Sequence, residues 1–208
     1  MDCLEFIESR GGHCVPVFEG RALHSIVDPI LEAEKLVQTD IARLSRLRSV
    51  IVLGLGGGFH VDELLKTVPG HVIVIEAEKT IALALRRRTP HVFEKTTIIA
   101  GESPSKLAVS PEILDALSGS FGFFRHPASI RQRPDYYGSV TQLLTARTAT
   151  QMTHLSRYNS NLSSFFSSLN LMPEEILTLP ALESAMKRRG TGLDDASMIW
   201  LVLRELVK

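Results

Sequence analysis

A continuous aliphatic run at residues 50–53 breaks at Gly54-Leu55-Gly56-Gly57-Gly58 and passes straight into a helical pattern, a combination few folds accept. Four aliphatic residues in succession suit a strand buried on both faces, as in a parallel sheet. The helical spacing runs over 59–68 through Val61, Leu64 and Leu65, and Pro69-Gly70 ends it. A second aliphatic run at 71–75 closes on Glu76. A helix over 79–88, a third strand over 96–100, a short helix from Ser110-Pro111 to Leu117 and a fourth strand over 120–124 follow. This β-α alternation predicts a parallel sheet with right-handed crossovers.

The flanks read differently. Residues 4–8 and 13–18, joined by Ser9-Arg10-Gly11-Gly12, predict an N-terminal β-hairpin, with Pro16 placing its second strand at an edge. Asp28-Pro29 supplies an N-cap acceptor and a first-turn proline for a helix. Its buried stripe is expected to be Ile30, Ala33, Leu36 or Val37, Ile41 and Leu44. From Asp135 the pattern is helical, with breaks around 170–173, 179–180 and 190–192. The expected fold is α/β and Rossmann-like, a mostly parallel sheet with an N-terminal hairpin and a C-terminal helical appendage. Residues 1–150 would form the Rossmann-like domain and 151–208 the helical extension; 208 residues, 44% of them hydrophobic, suffice to bury such a core.

Charge narrows the function classes. With 23 Lys+Arg against 23 Asp+Glu, no net field draws the chain to nucleic acid or to an anionic membrane. The basic triplets Arg86-Arg87-Arg88 and Lys187-Arg188-Arg189 end helices, where cations complement the macrodipole. The run 50–55 is too short to cross a bilayer, and the acidic start lacks the blocks of a signal peptide. A reducing cytoplasm is the expected setting. The two cysteines, Cys3 and Cys14, would face each other in the hairpin. No metal site is expected, because Cys3, His13, Cys14 and His24 lack paired ligand spacing.

A strand that enters a helix through glycines brings backbone N–H groups close to an anion or a ribose, with the helix N-terminus adding positive partial charge. Side chains at Gly54, Gly56, Gly57 and Gly58 would block that approach. The spacing resembles the first motif of class I, S-adenosylmethionine-dependent methyltransferases. In that resemblance Glu76, ending the second strand, would accept hydrogen bonds from ribose hydroxyls, and Glu102, after Gly101, would lie near the adenine. One departure stands out: those enzymes carry an acid two positions before the first glycine, where this chain has Val52.

Flanking residues resemble a second family. Leu23-His24-Ser25-Ile26-Val27-Asp28-Pro29 with Glu32-Ala33-Glu34, then Gly54-Leu55-Gly56-Gly57-Gly58-Phe59-His60, are similar to segments of the motility accessory factor proteins, which are flagellin-modifying and glycosyltransferase-like. Phe124-Arg125-His126-Pro127 with Arg131, Pro134 and Tyr136-Tyr137, and Arg157-Tyr158-Asn159 with Asn161-Leu162, resemble further segments. The similarity covers about 15–170 and implies the N-terminal Rossmann-like module of that family; nothing in 171–208 matches the family's glycine-proline-serine-rich transferase motif.

Other side chains join the candidate site. His24, Ser25 and Asp28 lie too close together, without a nucleophile elbow, for a hydrolase triad. His24 could still reach the glycine turn from its loop. His60 either meets a phosphate or carboxylate, or caps its helix and stands exposed. Arg125 and His126 follow the fourth strand and, with Arg131 and Arg133, either hold anionic groups or form an exposed basic loop. No general base stands out, so no catalytic residue is assigned. Two functions follow: a transferase-like domain binding a nucleoside-type ligand, S-adenosylmethionine or a nucleotide sugar; or a non-catalytic module that packs against a second copy or another protein through C-terminal helices that bear Phe165, Phe166, Leu169 and Trp200.

Overall fold

The computed structural model describes residues 4–107, 110–117 and 120–145. The chain divides into two compact units, Met1–Glu102 with Ser120–Pro134, and Ser103–Gly119 with Asp135–Lys208. The first unit holds both sheets. Strands β1 (Leu4–Glu8), β2 (Cys14–Phe18) and β3 (Arg21–Ala22) form an antiparallel sheet in that order. Strands β4 (Ser49–Leu53), β5 (His71–Glu76), β6 (Thr97–Ala100) and β7 (Phe121–Arg125) form a parallel sheet ordered β6-β5-β4-β7. The α/β class with a parallel sheet and an N-terminal hairpin is thus as expected.

Helix α1 (Pro29–Leu44) begins as its sequence dictates: Asp28 Oδ1 accepts from the Leu31 N–H at 2.9 Å, with proline in the first turn. Its stripe departs at two positions: Ile30 is exposed and Ile41 half-buried against the core, and Pro29, Ala33, Val37 and Leu44 are the buried residues. Together with α2 (Phe59–Thr67), α3 (Lys79–Arg86) and α4 (Pro90–Lys95), α1 encloses a core in which Val37, Leu44, Val61, Leu64, Ile81, Leu85 and Val92 cluster with Val50, Val52, Val72 and Val74. Ile51, Leu53, Ile73 and Ile75, which alternate with those valines and face the other way, are buried too. Both faces of the two central strands are therefore closed to solvent, which is why their sequences do not alternate. Helix α4 was not expected; Pro90 at its first turn is the signal that marks it.

Two expectations for the hairpin are corrected. Pro16 lies in the middle strand rather than at an edge. Its carbonyl accepts the Leu23 N–H at 2.9 Å, so both its backbone groups face the β3 side, beyond the short pairing of Val17 and Phe18 with that strand. The missing N–H therefore removes no bond to β1. Register pairs Cys14 with Glu8, and Cys3 lies outside the described residues.

In the second unit, α5 (Pro104–Leu107), α6 (Pro111–Leu117) and most of α8 (Pro134–Thr145) are helical, and α8 buries Tyr137, Val140, Leu143 and Leu144. The expected helical extension over 151–208, with Phe165, Phe166, Leu169 and Trp200, lies outside the described residues. Among the described residues no helix is long and apolar enough to cross a membrane.

Candidate functional site

The order β6-β5-β4-β7 means that the chain starts at β4, winds outward through β5 and β6, and returns to the opposite side of β4 as β7. Between β4 and β7 the winding direction reverses, and open α/β sheets bind ligands outside the carboxyl ends of the strands at such a point. The glycine turn leaves β4 there. At the end of β7 the backbone N–H of His126 donates to Leu53 O at 3.0 Å, after which α7 (Pro127–Gln132) begins.

The backbone over the turn is covered, not bare. Gly56 has φ +51, and a Cβ built on it would lie 2.6 Å from His126 Cε1 and 2.8 Å from His24 Nε2. One on Gly54 (φ +99) would collide with the Ser129 side chain. These glycines are needed so that imidazoles can approach the main chain. Gly57 is closed off by Phe59 and Pro16, and Gly58 is the left-handed N-cap of α2.

Three histidines thus meet from separate parts of the chain: His24 from the loop before α1, His60 from the first turn of α2, and His126 from the N-cap of α7. They are 4%, 0% and 1% exposed, and one nitrogen from each ring lies within 4.8 Å of the others. The rings stack, with centroids 4.3 Å apart for His60 and His126, 4.5 Å for His24 and His126, and 5.2 Å for His24 and His60. Phe59 meets His24 edge-on, and Phe124 stacks on His60. The expected exposure of His60, and of His126 in a basic loop, is corrected by this burial.

Hydrogen bonds set the tautomers. His60 Nε2 lies 2.9 Å from Gly54 O; a carbonyl only accepts, so Nε2 carries the proton and Nδ1 the lone pair. His24 Nδ1 lies 3.0 Å from Glu32 Oε2, which also accepts the Ser25 N–H at 2.8 Å. Burial pushes the Glu32 carboxyl up, but the hydrogen bonds from His24 and Ser25 outweigh it and hold it below its ordinary range. An ionised Glu32 requires Nδ1–H on His24; a neutral His24 ring then has its lone pair on Nε2, and a charged one would donate Nε2–H to His60. His24 Nε2 and His60 Nδ1 are 3.2 Å apart. Two lone pairs facing each other call for a positive charge between them, a proton or a metal ion. His126 Nδ1 sits 2.8 Å from Ser129 Oγ, and the Ser129 N–H points at the same atom at 3.4 Å. Burial, reinforced by the charge of His24 and opposed by the Gly54 carbonyl, pushes His60 down to about 3. Burial, then His60, His24 and Arg131, push His126 well below its ordinary value.

Other candidate residues divide. Glu76 is 2% exposed; its Oε2 accepts the Leu55 N–H at 2.7 Å and its Oε1 the Glu78 N–H at 2.9 Å, so the carboxylate braces the glycine turn from beneath. Glu102 follows the end of β6, two strands from β4, and the structure does not bring it to the histidines. Arg125 is exposed, with its guanidinium over the Phe123 ring. Arg131 is exposed, and its charge reaches His126 and Glu32. Arg133 is engaged elsewhere, pairing with Glu19 and Glu78. Glu32 and Ser129, which orient two of the rings, were not expected at the site; nothing in their spacing marks them. Comparison with protein-family models finds no match, and comparison with curated proteins finds none either.

Proposed function

We propose that the unit Met1–Glu102 with Ser120–Pro134 binds a nucleoside-type small molecule at the carboxyl edge of its parallel sheet, in service of a transfer reaction. The observation that carries this reading is the position of the buried polar cluster. Three imidazoles gather where β4 and β7 diverge, the one place in such a sheet where a ligand crevice is expected. Buried polar groups are costly unless satisfied, and a fold that needed only a tight turn would fill this volume with aliphatic side chains.

The resemblance to motility accessory factor proteins supports the same reading. Each of its three segments in the described residues contributes one histidine: His24 from the Leu23-His24-Ser25 segment, His60 from the glycine turn and His126 from Arg125-His126-Pro127. A nucleotide sugar fits better than S-adenosylmethionine. Glu76 already accepts two backbone N–H groups from within the buried turn, and Val52 stands where methyltransferases carry an acid. The ligand would lie over the buried histidine cluster rather than on naked backbone, with the exposed Arg131 and Arg125 beside its anionic part.

A thermal-unfolding panel on the full chain tests the reading. Nucleoside diphosphates, nucleotide sugars and S-adenosylmethionine are added in turn; a ligand at about a hundred times its Kd should stabilise by roughly 2.7 kcal/mol. Stabilisation by a nucleotide sugar but not by the free sugar is the expected result. No shift with any member rules the reading out.

A further inference from the structure

We propose that His24, His60 and His126 form a binding site for one divalent transition-metal ion of the zinc class. The locked tautomers carry the argument. Gly54 O keeps the proton on His60 Nε2 and Glu32 keeps one on His24 Nδ1, so once His24 is neutral its Nε2 and Nδ1 of His60 present free nitrogens to each other at 3.2 Å. Ligands held at about 2.0–2.1 Å in tetrahedral geometry lie about 3.4 Å apart, so this pair already stands at ligating separation. The third ring offers a nitrogen within 4.8 Å of the other two. In this structure His126 Nδ1 accepts the Ser129 N–H at 3.4 Å; the other tautomer, with Nδ1–H donating to Ser129 Oγ 2.8 Å away, would free Nε2 as the third donor.

The surroundings fit the same purpose. Metal-ligating histidines donate their second nitrogen to a carboxylate, a carbonyl or another acceptor, which fixes ring and tautomer. Here the Glu32 carboxylate and the Gly54 carbonyl play that part for His24 and His60, and Ser129 Oγ lies 2.8 Å from Nδ1 of His126. Three neutral nitrogen donors without sulfur suit zinc, cobalt or nickel, and three protein ligands leave a fourth position for water or substrate oxygen. The site stands on the histidines alone; that the fourth position takes an anionic oxygen of a nucleotide rests on the function proposed above.

The test uses the full chain, stripped with chelator and then loaded with Zn2+ or Co2+. After desalting, one equivalent of zinc should remain per chain, and the cobalt form should show the visible bands of a four-coordinate nitrogen site. Glu32→Gln, on a half-buried residue that is not itself a ligand, should weaken affinity roughly 10–100-fold with the fold intact. His60→Ala should abolish retention, whereas His91→Ala, at an exposed position of helix α4, should leave it unchanged. The wild-type cobalt spectrum and Glu32→Gln carry the test even if His60→Ala does not fold. A folded wild-type chain that retains no zinc, or retention that is unaffected by both Glu32→Gln and His60→Ala, overturns the proposal. Nucleotide-induced stabilisation without metal retention would remove the metal and keep the ligand; metal retention without a nucleotide response would do the reverse.

Discussion

Beneath the stacked rings, single atoms decide whether the site can form. Gly56 combines a left-handed φ with contact to two imidazoles, whereas Gly20 has φ +73 and nothing within 4 Å of an added Cβ. Gly20→Ala should therefore lose about 1–2 kcal/mol from backbone strain alone. Gly56→Ala should lose that plus roughly 1–3 kcal/mol for displacing His126, a difference that urea unfolding of the two variants will reveal. Equal losses would mean that the rings do not press on the turn. Residue-scale electrostatics make a second prediction, for the chelator-treated protein. His60 is held near 3 and His126 well below its ordinary value, while in the unfolded chain both return to about 6.5. Below pH 6.5 the unfolded state binds protons that the folded state refuses. Stability is therefore full above pH 6.5 and falls as pH drops toward 3, by up to about 1.4 kcal/mol per pH unit for each histidine. Denaturant midpoints that stay flat between pH 6.5 and 4.5 would contradict the burial of these rings.

At the scale of elements, the site depends on where helices begin. His126 caps α7, His60 occupies the first turn of α2, and His24 is held by Glu32 in the first turn of α1. Each helix start thus fixes one ring or its partner, so a change in capping should be felt at the cluster. Asp28 caps α1 through the Leu31 N–H, four residues before Glu32. Asp28→Ala should cost about 1 kcal/mol of stability. It should also loosen the first turn of α1, and with it the hold on His24, which the ring NMR signals of His24 would report. An unchanged His24 environment would show that Glu32 is placed by packing rather than by the cap. The hairpin adds a brace: Arg133, at the end of α7, bonds Glu19 just beyond β2 and Glu78 before α3. That pairing joins three elements of the first unit around the site.

For the whole first unit, topology converts a sequence order into a location. Had β7 added beside β6, the ends of β4 and β7 would lie at opposite sides of the sheet and His126 could not reach Gly56. The return of the chain to the free side of β4 places residues 24, 60 and 126 together. The site is consequently a property of the closed fold: any lesion that detaches β7 from β4 should disperse it.

Local rules were enough to read much of this architecture. The aliphatic runs marked the strands, Asp28-Pro29 marked α1, and the glycines marked the turn at the carboxyl edge, because those signals act over a few residues through sterics and capping. His24, His60, Arg125 and His126 could each be nominated because they flank predicted strand ends or the turn. Their convergence, the burial of the three imidazoles, the engagement of Glu76 and Arg133, and the roles of Glu32 and Ser129 were not legible. The convergence depends on contacts between histidines 36 to 102 positions apart, which sequence periodicity does not encode and only strand order brings together. The chain's own letters thus specified where backbone would be exposed to neighbours; packing alone chose histidines, rather than open space, to lie upon it.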